Sequence, residues 1–272
     1  MTESGDFNFR DSSVARSYDD VLVPNLFEPW AARLIEEHQP WAGRQVLDLA
    51  TGTGIVARLL AEQVGSAGCV LGADINREML QRAQEWCGDS QSTVRFVECS
   101  AESLDCPDDS IDFVVCQQGF QFFPDRKAAA GEILRVLKSG GETVVSTWRP
   151  VGECQVFGAI CEALESIDEP EISGMMRVPF DFMPESELAD HFESTGFASV
   201  RVERQEQDLV MRGGISRAVE LAYSTPIGPR LRSLSDAKEA RFREAFSGLV
   251  NELSSDGKTV GRVASNVLSA EK

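Results

Sequence analysis

The sequence offers little from which a metal centre or a disulfide framework could be built. It contains only two histidines, His38 and His191. Its seven cysteines are odd in number, irregularly spaced and without a C-x-x-C pair. Several lie inside apolar runs, where cysteine acts as a small core residue. This usage predicts no metal site and no structural disulfide, as expected for a reduced, cytoplasmic chain.

A basic stripe and a long apolar run are also absent. The chain has 44 acidic and 26 basic residues and a net charge of −18, whereas a protein that binds DNA or RNA needs a positive surface. No apolar run approaches about 18 residues, and the polar, acidic N-terminus does not resemble a signal peptide. We therefore expect neither a nucleic-acid partner nor a membrane-spanning segment. These features leave the oligomeric state open.

What the sequence does contain is a regular alternation of short apolar strands and helices over its first 150 residues. Strands are predicted at 44–50, 69–75, 93–99, 111–117 and 142–148. Helices are predicted at 24–40, 54–65, 77–88 and 126–141. Strands that alternate with helices form parallel sheets with right-handed connections. The pattern predicts a doubly wound, Rossmann-like α/β fold, with a mostly parallel seven-stranded sheet and helices on both faces.

The alternation breaks after Trp148, which gives a predicted domain organisation. Residues 1–17 are expected to be a flexible arm, and 18–149 an α/β core that continues at 184–210 and in a final strand at 258–272. Residues 150–183 and 211–257 are expected to be insertions that form a helical cap over the site. The Met/Phe/Pro-rich stretch 169–184 is predicted to be irregular.

A glycine-rich loop lies between the first strand and the following helix, in the stretch "VLDLATGTGIVAR". The loop fits G-x-G-x-x-G/A, which alone is a weak signal, and no Gly-Lys-Ser/Thr follows to make a P-loop. Asp48 lies near the carboxyl end of the strand, four residues before Gly52. Its carboxylate repels a pyrophosphate but makes a charge-assisted hydrogen bond with an ammonium group. A capping role for Asp48 at the following helix is the alternative.

A second acid, Asp74, ends the second strand 20 residues after Gly54. An acid at this position accepts hydrogen bonds from ribose hydroxyls, which fits any adenosine. Asp48 and Asp74 together describe a ligand with an adenosine at one end and an amino-acid ammonium at the other. S-adenosylmethionine has this composition.

In combination, the motifs resemble those of the class I S-adenosylmethionine-dependent methyltransferases, in the branch with the ubiquinone/menaquinone C-methyltransferases. "VLDLATGTG" matches the family's D-x-G-x-G-x-G loop, "GADINREML" its second motif, and "FVECSAESLDCPDDSIDFVVCQQGFQFFPD" its third and fourth. The resemblance covers about residues 14–148. Ala50 replaces the usual first glycine, and Ser100 stands where the family usually has an Asp that bonds the adenine amino group.

The resemblance implies a role in cofactor binding for each matching residue. The methionine end is expected to contact Asp48, the carbonyl of Gln117 and the backbone of Ala50, Thr51, Gly52 and Gly54. The adenosine end is expected to contact Asp74 at the ribose, Ile75 and Met79 on the adenine faces, and Ser100, Ala101 and Glu102 at the adenine edge. Tyr18 matches an aromatic residue that closes over the cofactor. Plain core packing of Ile75 and Met79, and a surface role for Tyr18, are the alternatives.

The acceptor is predicted from what methyl transfer requires. The methyl group is already activated, so the enzyme has mainly to orient a nucleophile and exclude water. Weak candidates for a catalytic base are Glu169, Glu171 and His191. An aromatic rim predicts a hydrophobic small molecule, such as an isoprenoid, quinone, polyketide or aromatic metabolite. The expected contacts are Gln118, Phe122, Trp148, Phe157, Met175 and Met176.

Two other functions fit the same loop. A protein of this fold can bind S-adenosylmethionine without transferring its methyl group, for cyclisation or regulation. A NAD-dependent oxidoreductase is the remote alternative. The atom that is methylated, and whether a base is used, are left open by the sequence.

Overall fold

The computed structural model describes residues 16–87 and 93–272. Residues 1–15, most of the predicted flexible arm, lie outside the described residues, and so does Gly88, which was expected to end a helix. The chain divides into two compact units. One comprises Glu28–Thr147, Met183–Gln205 and Ser265–Lys272, and the other comprises the described part of Met1–Phe27 with Trp148–Phe182 and Glu206–Ala264.

The described residues form one sheet and ten α-helices. The strands are β1 (Gln45–Leu49), β2 (Cys69–Asp74), β3 (Val94–Glu98), β4 (Ile111–Gln117), β5 (Leu137–Trp148), β6 (Ala198–Arg212), β7 (Ser254–Ser255) and β8 (Lys258–Glu271). The helices are α1 (Glu28–Glu37), α2 (Ile55–Val64), α3 (Arg77–Cys87), α4 (Arg126–Val136), α5 (Gln155–Ser166), α6 (Pro170–Arg177), α7 (Glu185–Glu193), α8 (Gly214–Ser224), α9 (Gly228–Arg232) and α10 (Asp236–Asn251).

The strand order is β3-β2-β1-β4-β5-β8-β6, with β7 paired to β8. Strands β1 to β5 pair in parallel. Strand β8 runs antiparallel to β5, because Lys272 N donates to the carbonyl of Gly141 and Arg149 N donates to the carbonyl of Ala264. The Rossmann-like, mostly parallel sheet is thus confirmed, with the two-residue β7 as an eighth strand. The order reverses between β1 and β4, and ligands bind at such a switch point.

The α/β unit has helix starts and a core that follow from its sequence. The Asn76 side chain accepts from the backbone N of Glu78, at 3.0 Å, and caps α3. The Asp125 side chain accepts from Ala128 N, at 2.9 Å, and caps α4. A buried apolar cluster includes side chains of β1, β4, β5, α4 and α7. Burying each large side chain contributes roughly 1.5–3 kcal/mol. This cluster therefore stabilises the central strands, whose carboxyl ends carry the loops described below.

The second unit is mostly helical. It contains a π-helical segment, Tyr18–Phe27, and helices α5, α6 and α8 to α10. Helix α5 packs against α6 and α10. Phe242 and Phe246 of α10 are fully buried, and their rings stack with centroids 5.8 Å apart. Helix α8 ends at Ser224, directly before the stretch "TPIGP", and α9 begins within that stretch at Gly228.

Two secondary-structure predictions are wrong. Strand β5 begins at Leu137 and not at 142, because Leu137 adopts an extended backbone and pairs with Ile111. Helix α4 consequently ends at Val136. The stretch 169–184 was expected to be irregular, but it contains α6 and a 3-10 turn at Val178–Phe180. Pro170 occupies the first turn of α6, where its missing N–H costs nothing.

Within residues 16–87 and 93–272, no helix combines the length and the apolar character needed to cross a bilayer.

Candidate cofactor site

The loop after β1 makes a sharp turn into α2 through three residues with left-handed backbone. These are Ala50, Gly52 and Gly54, with φ of 58°, 55° and 83°. Glycine adopts this conformation freely, whereas a residue with a Cβ pays about 1–2 kcal/mol. The replacement of the usual first glycine by Ala50 therefore carries a backbone cost.

Asp48 is 1% exposed at the end of β1. Its Oδ2 accepts from Thr51 Oγ1 at 2.5 Å and from the backbone N of Ala57, in α2, at 3.0 Å. Burial raises the pKa of Asp48 to about 7, although these two hydrogen bonds oppose the rise. The carboxyl thus does cap the start of α2, as the alternative held. It is also a group that a neighbouring cation would stabilise in its charged form.

Asp74 fixes the same loop from the neighbouring strand. Its Oδ2 accepts from Gly52 N and its Oδ1 from Asn76 N, both at 2.8 Å. Burial raises the pKa of Asp74, and the Asp74 charge in turn raises the pKa of Asp48. Two carboxyl groups therefore converge on one loop, and the region favours a ligand that brings positive charge and hydroxyl donors.

The two glycines of the loop have different surroundings. A Cβ added to Gly52 would meet no atom within 4 Å. A Cβ added to Gly54 would lie 3.0 Å from Ala83 Cβ and 3.2 Å from Phe96 Cζ. Gly52 thus faces open space beside the two carboxyl groups, whereas Gly54 allows close packing on α3 and β3. A cofactor can approach the loop closely through this open space.

A pair of variants separates these two roles. We expect Gly52→Ala to lower the affinity for S-adenosylhomocysteine at least tenfold and to destabilise the protein by only about 1 kcal/mol, the left-handed backbone cost. Gly54→Ala carries the same backbone cost plus crowding, about 2–3 kcal/mol in total. Urea unfolding and calorimetric titration measure both quantities. The reverse ranking of the two variants in either measurement would contradict this assignment.

The residues expected to hold the adenine differ in exposure. Ile75 exposes 73% of its surface, whereas Met79 exposes 5% and belongs to the core. The buried Ala101 lies between Ser100 and Glu102, and Ser100 Oγ donates to the Glu102 carboxylate. The single proton of Ser100 is thus used by Glu102, whose backbone N in turn donates to Ser100 Oγ at 3.4 Å. A hydroxyl oxygen has two lone pairs, so one remains able to accept from an adenine amino group. The adenine contacts stay a prediction.

Three of the remaining predicted binding residues share one aromatic cluster in the helical unit. Tyr18 stacks on Phe27 with ring centroids 5.0 Å apart, and Phe27 lies 6.2 Å from Trp148. Phe180 contacts both Trp148, at 6.0 Å, and Phe157, at 5.1 Å. The chain therefore brings Tyr18, Trp148 and Phe157 together, although they are far apart in sequence.

The other predicted acceptor contacts vary in exposure. Phe122 of the α/β unit is 45% exposed, and Met175 of α6 is half-buried. Met176 is 2% exposed and packs in the core of the helical unit. Gln118 is buried at the end of β4 with a positive φ of 57°. Their contact with an acceptor stays a prediction.

The three candidate bases are engaged in contacts of their own. Glu169 forms an ion pair with Lys238. Glu171, which is exposed, forms one with Arg230 at 3.1 Å. The His191 ring packs edge-on against Phe120 with centroids 5.9 Å apart. These arrangements are typical of surface ion pairs and helix packing, and a catalytic role for the three residues stays a prediction.

Sequence reasoning missed two features of the site. The Thr51 side chain bonds Asp48, although only the Thr51 backbone was expected to act. Gly119 packs directly on the loop, because a Cβ added there would lie 2.5 Å from Ala50 Cβ. A glycine just after the fourth strand, at the ligand-binding edge of the sheet, was the available signal. Among the described residues no cluster of three or more His, Cys, Asp or Glu side chains could hold a metal ion.

Comparisons with known proteins agree with this geometry. Residues 46–141 match the model of the methyltransferase domain family. The ubiquinone/menaquinone biosynthesis C-methyltransferase UbiE of Xanthomonas campestris pv. campestris is 39% identical over 139 residues. This alignment covers 49% of this chain and 55% of UbiE, so the chain spans about half the length of the curated relative that it matches.

Two solved structures are similar in fold. Phosphoethanolamine N-methyltransferase 2 of Haemonchus contortus, in complex with S-adenosyl-L-methionine, has a TM-score of 0.62 at 18% identity, over 96% of this chain and 57% of that chain. The [4+2]-cyclase SpnF has a TM-score of 0.54 at 19% identity, over 90% of this chain and 81% of that chain. At these identities the likeness shows the fold alone. Residues 46–141 therefore match the methyltransferase domain family, and the chain is similar in fold to S-adenosylmethionine-dependent methyltransferases.

Proposed function

We propose that this chain binds S-adenosylmethionine at the loop after β1 and transfers its methyl group to a hydrophobic small-molecule acceptor. The observation that carries the proposal is the pair of carboxyl groups, Asp48 and Asp74, that flank the open space at Gly52. A pyrophosphate would meet like charge there, whereas an ammonium and a ribose each find an acceptor. A dinucleotide is thus the less suitable ligand.

Each residue of the loop has a specific task. The cofactor ammonium is expected to stabilise the charged form of the Asp48 carboxylate. Burial disfavours that form, and a nearby cation favours it. Asp74 orients the ribose while it holds Gly52 N in place. When bound, the cofactor supplies a methyl group that its sulfonium already activates, and S-adenosylhomocysteine is the product. The chain has then to orient the acceptor in line with that group and to exclude water.

A hydrophobic acceptor is supported by two observations. Phe122, in the 3-10 turn that follows β4, exposes an aromatic ring at the ligand-binding edge of the α/β unit. The relative UbiE is named for quinone biosynthesis, and a quinone is one member of the predicted acceptor class. We further propose that 150–183 and 211–257 form the cap. A cytoplasmic location is supported by the seven free cysteines.

The function is tested by S-adenosylhomocysteine formation from S-adenosylmethionine with a panel of acceptors. We expect turnover with apolar aromatic or isoprenoid acceptors and none with small polar amines or acids. Turnover confined to the polar compounds would contradict the proposed acceptor class. Tight cofactor binding with no S-adenosylhomocysteine formed from any acceptor would instead favour the non-methylating alternative, for which SpnF provides a precedent in fold.

Cofactor binding is expected to depend on pH through Asp48. Its raised pKa, about 7, means that the free protein holds a proton there at pH 6 and has lost it at pH 8. The cofactor ammonium needs the charged form, so affinity for S-adenosylhomocysteine should rise about tenfold from pH 6 to pH 8, by single-proton linkage. Calorimetric titrations at constant ionic strength measure this. An affinity that is flat over this range would show that Asp48 does not titrate with binding.

A further inference from the structure

Gln118 combines two unfavourable features at one position. Its backbone is left-handed, with φ of 57°, although it is not a glycine. Its side chain is 5% exposed, and the amide Oε1 is buried without a hydrogen-bond partner in the described chain. Both features cost free energy of folding. Such strain persists where the surrounding structure imposes it, and it concentrates at functional sites.

The surrounding structure does hold Gln118 rigidly. Its backbone N donates to the carbonyl and to Oγ of Ser146, at 3.0 and 3.2 Å. Its side-chain Nε2 donates to Ser265 Oγ at 2.8 Å. Strands β5 and β8 thus fix both the backbone and one end of the amide. The other end, Oε1, has no such bond and is free to accept one from a ligand.

The position of Gln118 places this oxygen beside the cofactor loop. Gln118 directly follows β4, and β4 pairs with β1 at the point where the strand order reverses. The next residue, Gly119, packs on Ala50 of the loop, since a Cβ there would lie 2.5 Å from Ala50 Cβ. The amide oxygen therefore belongs to the edge of the sheet at which methyl transfer would take place.

We propose that Gln118 Oε1 accepts a hydrogen bond from the methyl acceptor and thereby selects acceptors that carry an O–H or N–H group. The inference rests on the proposed function and narrows it. A purely hydrocarbon acceptor would leave the buried oxygen unpaired, whereas a hydroxyl or an N–H group pairs it. Gln118 is thus a specificity-determining residue, and the acceptor is hydrophobic in bulk with one polar donor.

The test compares two simple probes with the same ring system, 2-naphthol, which has an O–H donor, and 2-methoxynaphthalene, in which a methyl group replaces that hydrogen. Their affinities for the protein saturated with S-adenosylhomocysteine are measured by calorimetry in wild type and three variants. We expect wild type to bind 2-naphthol at least fivefold more tightly than the ether. Gln118→Met, which removes the acceptor at similar size, should bring the ratio near one. Gln118→Glu, which keeps an acceptor oxygen, should preserve the preference.

Gln207→Met is the matched control. Gln207 also has a buried amide oxygen without a hydrogen-bond partner in the described chain, but it lies on the edge strand β6, so its loss should leave the ratio unchanged. Equal binding of the two probes to wild type, no binding of 2-naphthol, or a preference that survives in Gln118→Met would each overturn this inference alone. Failure of wild type to bind S-adenosylhomocysteine would overturn the proposed function, and the inference with it.

Discussion

Asp48→Asn is expected to weaken S-adenosylhomocysteine binding at least 100-fold while it makes the cofactor-free protein more stable at pH 8. The loss of affinity follows because the neutral amide cannot make the charge-assisted hydrogen bond to the ammonium, and its NH₂ group faces a cation instead. The gain in stability follows because the variant has no buried charge to desolvate. Asparagine Oδ1 can still accept from Thr51 Oγ1 and Ala57 N.

The direction of the stability change follows from proton linkage. Burial raises the pKa of Asp48 from 3.8 to about 7, so between these values the folded protein binds more protons than the unfolded chain. The free energy of unfolding therefore falls as pH rises through this window, and the destabilisation by the buried Asp48 charge is complete above pH 7. Replacing Asp48 by Asn removes this charge, which should raise the free energy of unfolding by about 2–4 kcal/mol at pH 8, with little difference at pH 4.

Asp112→Asn is the control for this prediction. Asp112 bonds Gln45 N and Lys138 at the opposite end of the sheet, and these contacts hold its pKa below the usual value. Its loss should leave cofactor affinity unchanged and should not increase stability. Urea unfolding at pH 4 and 8, with calorimetry at pH 8, measures both effects. Undiminished affinity in Asp48→Asn would remove the main physical support for the site.

Gly119→Ala is expected to destabilise the protein by about 3 kcal/mol and to weaken cofactor binding. The added methyl would lie 2.5 Å from Ala50 Cβ and 3.1 Å from Cys116 Sγ. Overpacking of this kind costs about 1–3 kcal/mol when neighbours must shift, and here the neighbour is the Cβ of Ala50, which cannot move without the backbone of the cofactor loop. Displacement of Ala50 would move Gly52, so affinity for S-adenosylhomocysteine should fall along with stability.

A second substitution identifies the clash as the cause. In the Gly119→Ala background, Ala50→Gly removes the opposing methyl and should restore about 2 kcal/mol, a coupling expected only for residues in contact. Gly131→Ala is the matched control, since Gly131 lies within α4 and an added Cβ meets nothing within 4 Å. It should stabilise the helix by about 0.5–1 kcal/mol. Additive effects of Ala50→Gly and Gly119→Ala would rule out the proposed contact.

The parts of this fold that the sequence predicts are those with strong local signals. Periodic apolar residues predict β1 to β4 and their helices, and Asn76 and Asp125 mark the helix starts. The start of β5 was predicted five residues late, because the pairing of Leu137 with Ile111 is a contact between distant segments. The helix that begins at Pro170 was missed because it is only eight residues long and contains Gly174, which favours a loop. Its apolar residues Ile172, Met175 and Met176 do have helical spacing, but over fewer than three turns.

The candidate site shows the same limit. The residue types of the cofactor loop predict charge and turn geometry, so Asp48, Gly52 and Asp74 could be named beforehand. Exposure could not be predicted in this way, and Ile75 proves exposed where Met79 is buried. The strain at Gln118 arises from contacts with β5 and β8 and leaves no mark on the local sequence.

Calorimetric titration of the wild-type protein at pH 8 with S-adenosylhomocysteine, and in parallel with NAD, tests the central claim most directly. The carboxyl groups at the loop predict one binding site for S-adenosylhomocysteine and no detectable binding of NAD. Binding of NAD without binding of S-adenosylhomocysteine would contradict the account, since it would mean that the loop holds a pyrophosphate despite Asp48.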